Sequence, residues 1–136
     1  MFTRKTTFII GAGASNEVGL PTGLDLKRIV ADKLNITFDI SHGYSLVTGD
    51  HAVESAIRAH VKLQNERDIN PYLDEAWKIR DAMPQALSID NYLDAHAGNE
   101  ALKLCGKLAI ARSIVIAQGV GQEAKIGWPS RAFEIA

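Results

Sequence analysis

Along most of this chain apolar residues recur three and four positions apart, the spacing that gathers side chains on one face of a helix. Leu26, Ile29, Val30 and Leu34 form one such stripe. Thr22 stands ahead of it as a cap, with Asp25 three residues later in a capping-box position. Asp50 caps a second predicted helix with Val53, Ala56, Ile57 and Val61 on one side. Asn70-Pro71 places a cap and a first-turn proline before a third, carrying Leu73, Ala76, Trp77 and Ile79, which Pro84 ends. Ser88 caps a fourth, beginning Ile89-Asp90-Asn91-Tyr92-Leu93. Gly98 interrupts it and Asn99 restarts the pattern. The last helix, Glu100 to about Gln118, is apolar almost all round, which predicts burial on more than one face. Gly119-Val120-Gly121 is expected to close it.

Two segments read as strands. Thr6 to Ile10 is apolar on both faces, as in strands buried within a parallel sheet. Asn35 to Ile40 is a second, shorter candidate. Ser41 to Gly49 reads as a loop broken by Gly43 and Gly49, and Gln64 to Asp68 as a polar connection. A strand apolar on both faces needs paired neighbours in a dry interior. The expectation is therefore an α-rich α/β domain truncated at its carboxyl-terminal end, with the remaining strands beyond Ala136. Trp128, Phe133 and Ile135 resemble the opening of a further element. A small α-rich domain, or strand pairing within an oligomer, is the alternative.

Composition narrows the class. The chain has 136 residues, 46% hydrophobic and 23% charged, enough for one domain with one modest core. Fifteen basic residues face sixteen acidic ones, for a formal charge of −1. No basic field exists to hold nucleic acid, and no direct nucleic-acid partner is expected. No stretch approaches the length of a membrane span, so no membrane partner is expected and the predicted location is cytoplasmic. The single cysteine, Cys105, has no partner for a disulfide or a zinc pair, which suits a reducing compartment. It reads as a small core residue. The four histidines, His42, His51, His60 and His96, lack metal-ligand spacing, so no metal is expected; His96, close to Asp90, Asn91 and Asp94, is the one of interest. Glu54, Glu66, Asp68, Asp74 and Glu75 alternate with Arg58, Arg67, Lys78 and Arg80 as on solvated helix faces. Tyr72 and Trp77 read as core.

The chemistry lies at the amino end. Thr6-Thr7-Phe8-Ile9-Ile10 runs into Gly11-Ala12-Gly13-Ala14-Ser15, followed by Gly19-Leu20-Pro21-Thr22. Gly11 permits a tight bend out of a strand, and Gly13 lets the backbone approach a pyrophosphate. A helix start then favours the anion. Asn16 occupies the third glycine position of the usual dinucleotide fingerprint, and the phosphate-loop pattern of nucleotide hydrolases is absent. Taken alone, the turn reads equally as a phosphate cradle and as a structural bend.

The wider pattern resembles the opening of the sirtuin-like NAD-binding family, and most closely the bacterial sirtuin-like proteins that degrade NAD in antiphage defence. The Gly11–Ser15 turn, the Gly19-Leu20-Pro21-Thr22 segment and the Ser88-Ile89-Asp90 helix start carry the resemblance. It implies a Rossmann-like, sirtuin-type NAD-binding fold over residues 1–136, with NAD as substrate or ligand and no metal. It further implies that Gly11, Ala12, Gly13, Ala14 and Ser15 line the NAD phosphates. Pro21 and Thr22 would sit near the nicotinamide ribose, and Asp90 and Asn91 would face the pocket, although an acidic residue at a helix start is equally explained by the macrodipole. Thr22-Gly23-Leu24 replaces the Asp-Phe-Arg of deacylases, which argues against deacylation. The family's catalytic Asn and His have no counterpart here, so the catalytic residues are expected beyond Ala136 and this piece is expected not to turn over alone.

The implied function is the NAD-binding part of an NAD hydrolase that cleaves the nicotinamide–ribose bond, with NAD or ADP-ribose as partner. A homo-oligomer or a further carboxyl-terminal domain would complete the assembly. Two rivals remain open on the residues. One is a non-catalytic module that senses NAD or ADP-ribose or drives oligomerisation. The other is a Rossmann-type oxidoreductase, with Asp39 at the end of the second strand holding ribose hydroxyls.

Overall fold

The structure, a computed structural model, describes Gly19 and residues 21–123, with side chains described to residue 117. The predicted Thr6–Ile10 strand, the Gly11–Ser15 turn and the segment from Trp128 to Ala136 lie outside the described residues. Five helices and one hairpin are arranged in the order α1 (Gly23–Leu34), β1 (Thr37–Asp39), β2 (Ser45–Thr48), α2 (His51–Leu63), α3 (Asn70–Ala82), α4 (Ile89–Ala95) and α5 (Glu100–Glu123). The described residues are thus α-rich with a small antiparallel sheet.

Local chemistry accounts for most helix starts. Thr22 Oγ1 accepts from the Asp25 amide and donates to Asp25 Oδ2 at 2.7 Å. Asp50 Oδ1 accepts from the Val53 amide at 3.0 Å, Ser88 Oγ from the Asn91 amide at 3.0 Å, and Asn99 Oδ1 from the Leu102 amide at 3.1 Å. Each satisfies an amide that the first turn leaves without an intrahelical partner. The start of α3 departs from the predicted cap. Asn70 is already helical and Ile69 precedes it without a side-chain bond. Asp68 Oδ1 instead takes the Asn70 amide at 2.9 Å, so the capping oxygen comes from outside the expected position.

α5 is the central element and packs against all four other helices. Leu102, Cys105 and Ala109 are buried on it, together with Val30 and Leu34 of α1, Ile57 and Val61 of α2, and Ala76 and Ile79 of α3. The all-round apolar pattern therefore reports its true position. Where the glycines at 119 and 121 were expected to stop the helix, α5 continues to Glu123. Glycine costs only about 1 kcal/mol in a helix interior, and it ends a helix only where the backbone turns left-handed.

The Ser41–Gly49 segment is not a plain loop. It turns through Gly43 (φ +85°) and Tyr44 (φ +60°) and returns as β2. β2 pairs antiparallel with β1 in the register Phe38 with Leu46 and Asp39 with Ser45, with an irregularity between Thr37 and Phe38. Ser45-Leu46-Val47-Thr48 buries little beyond Leu46, so it shows no strong period of two. β1 has an antiparallel neighbour supplied by the next four residues of regular structure. An isolated two-stranded ribbon is marginal in water. Here Phe38 and Leu46 pack on the core, and Trp77 Nε1 donates to the Ile36 carbonyl at 2.9 Å.

Glu54 corrects another expectation. It is buried on α2 and not on a solvated face, and it accepts from Arg58 four residues on. The Arg58 guanidinium in turn lies 5.6 Å over the Phe38 ring. The hairpin reaches this part of α2 through Phe38, and the neighbouring cation makes the buried carboxylate tolerable.

Candidate functional site

The glycine turn of residues 11–15 lies outside the described residues, so the site is built from Gly19 onward. Pro21 leads into Thr22, which caps α1. Along α1 the residues Asp25, Ile29 and Lys33 recur at four-residue intervals, with Arg28 alongside. On α5, Ser113, Ile116 and Ala117 share one face at spacings of three and four. These two stripes face each other across a cavity of about 490 Å³, whose mouth reaches Gly19 and Pro21. That volume falls within the roughly 300–1,000 Å³ of small-molecule sites.

The lining combines apolar walls (Pro21, Ile29, Ile116, Ala117) with Asp25 and two cations, Arg28 and Lys33. Guanidinium and ammonium groups suit phosphate oxygens, and a carboxylate accepts from ribose hydroxyls. Ser113 is buried and spends its hydroxyl on the Ala109 carbonyl at 2.6 Å.

Lys33 reaches past the cavity to Asp50, with Nζ 3.3 Å from Oδ2. Arg112 of α5 approaches the same carboxylate through Nε, 3.2 Å from Oδ1. Burial by itself would push the Asp50 carboxyl up. The Val53 amide, Arg112 and Lys33 outweigh it and hold the group below the ordinary carboxylate value. The Asp50 amide also donates to the Lys33 carbonyl at 3.1 Å. One residue thus ties together the end of α1, the start of α2 and the middle of α5.

A second cavity, about 370 Å³, lies on the other side of α1 between Leu24, Lys27, Ala31 and the Met83-Pro84 turn. Lys27 Nζ donates to the Ala86 carbonyl at 2.6 Å beside it. Arg28 borders both cavities.

The residues singled out in the sequence divide accordingly. Pro21 lines the larger cavity, and Thr22 holds Asp25 on its wall. Asp90 and Asn91 are exposed at the first turn of α4 and line neither cavity beside α1. His96 does not reach toward Asp90; its Nδ1 lies 2.8 Å from the Tyr92 carbonyl and its ring 4.3 Å from the Tyr92 ring. Asp39, the ribose-binding candidate of the oxidoreductase alternative, is held by the Ser41 amide and hydroxyl and by His42 Nδ1. Among the described residues no group of three His, Cys, Asp or Glu side chains is placed to hold a metal ion. No helix among them is long and apolar enough to cross a membrane.

Arg28, Lys33 and Ser113 were not legible as a site. Their charges fit an ordinary solvated helix face, and the partner stripe lies about eighty residues away in the chain. The one signal was the position of α1 directly after the Gly19-Leu20-Pro21-Thr22 segment.

No family model, curated protein or solved structure matches this chain.

Proposed function

We propose that this chain is the NAD-binding part of a sirtuin-like NAD hydrolase, which cleaves the nicotinamide–ribose bond. The observation that carries the reading is the Gly11-Ala12-Gly13-Ala14-Ser15 turn followed by Gly19-Leu20-Pro21-Thr22. Support comes from the cavity that opens beside Gly19 and Pro21 at the start of α1, of a size for a small molecule and with phosphate-compatible cations in its wall. Cleavage builds positive charge on the ribose as nicotinamide leaves. The contribution of this chain is to bind and orient the dinucleotide: backbone amides of the glycine turn hold the pyrophosphate, while Pro21 and Thr22 border the nicotinamide ribose. Holding the reacting parts in one geometry lowers the barrier by removing motional freedom beforehand.

The test is incubation of the full-length protein with NAD, followed by chromatography for free nicotinamide and ADP-ribose. Release without an acylated peptide supports hydrolysis. Release only with such a peptide, or hydride transfer to a second substrate, overturns it. Calorimetry with NAD addresses binding alone, and Gly13→Val, which places a branched side chain against the pyrophosphate, is expected to abolish it.

A further inference from the structure

The cavity between α1 and α5 has two unlike walls. Arg28 and Lys33 stand on one, within two turns of a single helix, while the opposite stripe of α5 is Ser113, Ile116 and Ala117. Among the described lining residues the one carboxylate, Asp25, is engaged by the Thr22 hydroxyl at 2.7 Å. Lys33 is shared: it lines both this cavity and the adjoining cleft that Asp32, Gly49 and Asp50 border, and its ammonium pairs with Asp50 at 3.3 Å. Asp50 does not depend on Lys33 alone, because Arg112 and the Val53 amide hold the same carboxylate.

We propose that the α1–α5 cavity is a phosphate subsite, in which Arg28 and Lys33 together take the anion of a phosphorylated ribose while Arg112 keeps Asp50 neutralised. Among the described lining residues the α5 wall carries no charge, so an anion entering there meets the cations of α1 on one side and mainly apolar surface on the other. Lys33 changes partner by rotating its flexible stem, and Arg112 prevents the exchange from leaving a buried carboxylate bare. This assignment rests on the nucleotide-binding reading above, and it adds two side chains of α1 to the glycine-turn amides as groups that hold the charged part of the ligand.

Isothermal calorimetry at low salt, with inorganic pyrophosphate and with ADP-ribose as probes, tests it. The wild-type protein is expected to bind both. Arg28→Gln and Lys33→Gln are each expected to weaken both probes by about tenfold or more, as for the loss of a charge-assisted hydrogen bond. Lys33→Arg, which keeps the charge, is expected to retain much of the affinity, and should Lys33→Gln lose its fold in thermal melts, Arg28→Gln carries the test. Lys62→Gln, on the exposed surface of α2, controls for general charge. Failure of the wild type to bind either probe, or unchanged affinity in Arg28→Gln, overturns the subsite. The two readings fail separately. Arg28-dependent pyrophosphate binding without nicotinamide release by the full-length protein leaves the subsite standing and removes the hydrolase. Nicotinamide release with full ADP-ribose affinity in Arg28→Gln does the reverse.

Discussion

Arg112 on α5 bonds through Nε to Asp50 at the start of α2, across 62 residues of sequence. The contact closes the bundle at a point where three helices meet, because Lys33 at the end of α1 shares the carboxylate. Both Lys33 and Asp50 are largely withdrawn from solvent, with side-chain exposures of 14% and 12%. A pair in that setting differs from a surface ion pair, whose value is near zero to about 1 kcal/mol.

Replacing Asp50 is therefore expected to be severe. Asp50→Ala removes a helix cap and leaves two cations facing one another without a counter-charge. The expected loss is about 3 kcal/mol, at the lower end for a broken buried pair. Asp50→Asn keeps an acceptor for the Val53 amide and is expected to cost less. Urea denaturation of both variants measures the difference. Equal losses would show that the charge, and not the cap, matters.

The same carboxylate makes stability depend on pH. Its folded-state value is depressed below that of the unfolded chain, so it contributes stability above the unfolded value near about 4. That contribution falls away as pH drops from about 5 through the unfolded value and on through the lower folded one. Thermal melts of the wild type are expected to show the fall. In Asp50→Asn this component should vanish, giving a shallower acid limb.

Gly49 joins β2 to the cap of α2 at φ +92°. A Cβ there would lie 2.8 Å from Ile36 Cγ1 and 2.9 Å from Ile36 Cα. Backbone atoms cannot move aside as a side-chain tip can. Gly49→Ala is expected to cost about 2–3 kcal/mol, combining left-handed strain with overlap. Gly43, also left-handed but facing open space, is the comparison, and its alanine variant is expected to lose only about 1 kcal/mol. Chemical denaturation of the pair separates strain from overlap.

Cys105 is buried on α5, and its thiol donates to the Tyr72 carbonyl at 3.4 Å. Burial, with the Glu75 charge adding to it, pushes the thiol up to about 12. The thiolate needed for reaction is absent at neutral pH. Labelling with a chromogenic disulfide reagent at pH ~8, just below the ordinary thiol value, is expected to proceed only as fast as the protein opens, and to become immediate in denaturant. Rapid labelling of the folded protein would contradict this placement.

Much of the fold was legible because the relevant forces act within one helical turn. The caps at Thr22, Asp50 and Ser88 and the stripes through Val30, Val53 and Leu102 arise from side chains three or four positions apart. β2 escaped notice because four residues with one half-buried side chain carry too little period. Glu54 was misassigned because charge alone does not reveal that its side chain is buried and paired with Arg58. At the candidate site, the segment around Pro21 pointed to α1, but the opposite wall comes from Ser113 to Ala117, which no local pattern links to it.

Chain order and residue chemistry thus settle where helices begin, which side of each is apolar, and that α5 belongs in the middle. These are decided by backbone amides seeking acceptors and by apolar area leaving water, both readable over short spans. Packing alone decided that Asp50 gathers Lys33 and Arg112, that Ile36 admits only a glycine beside it, and that α1 and α5 leave a cationic cavity between them. Those outcomes depend on distances between residues far apart in the chain, and such distances exist only once the helices have closed around a common core.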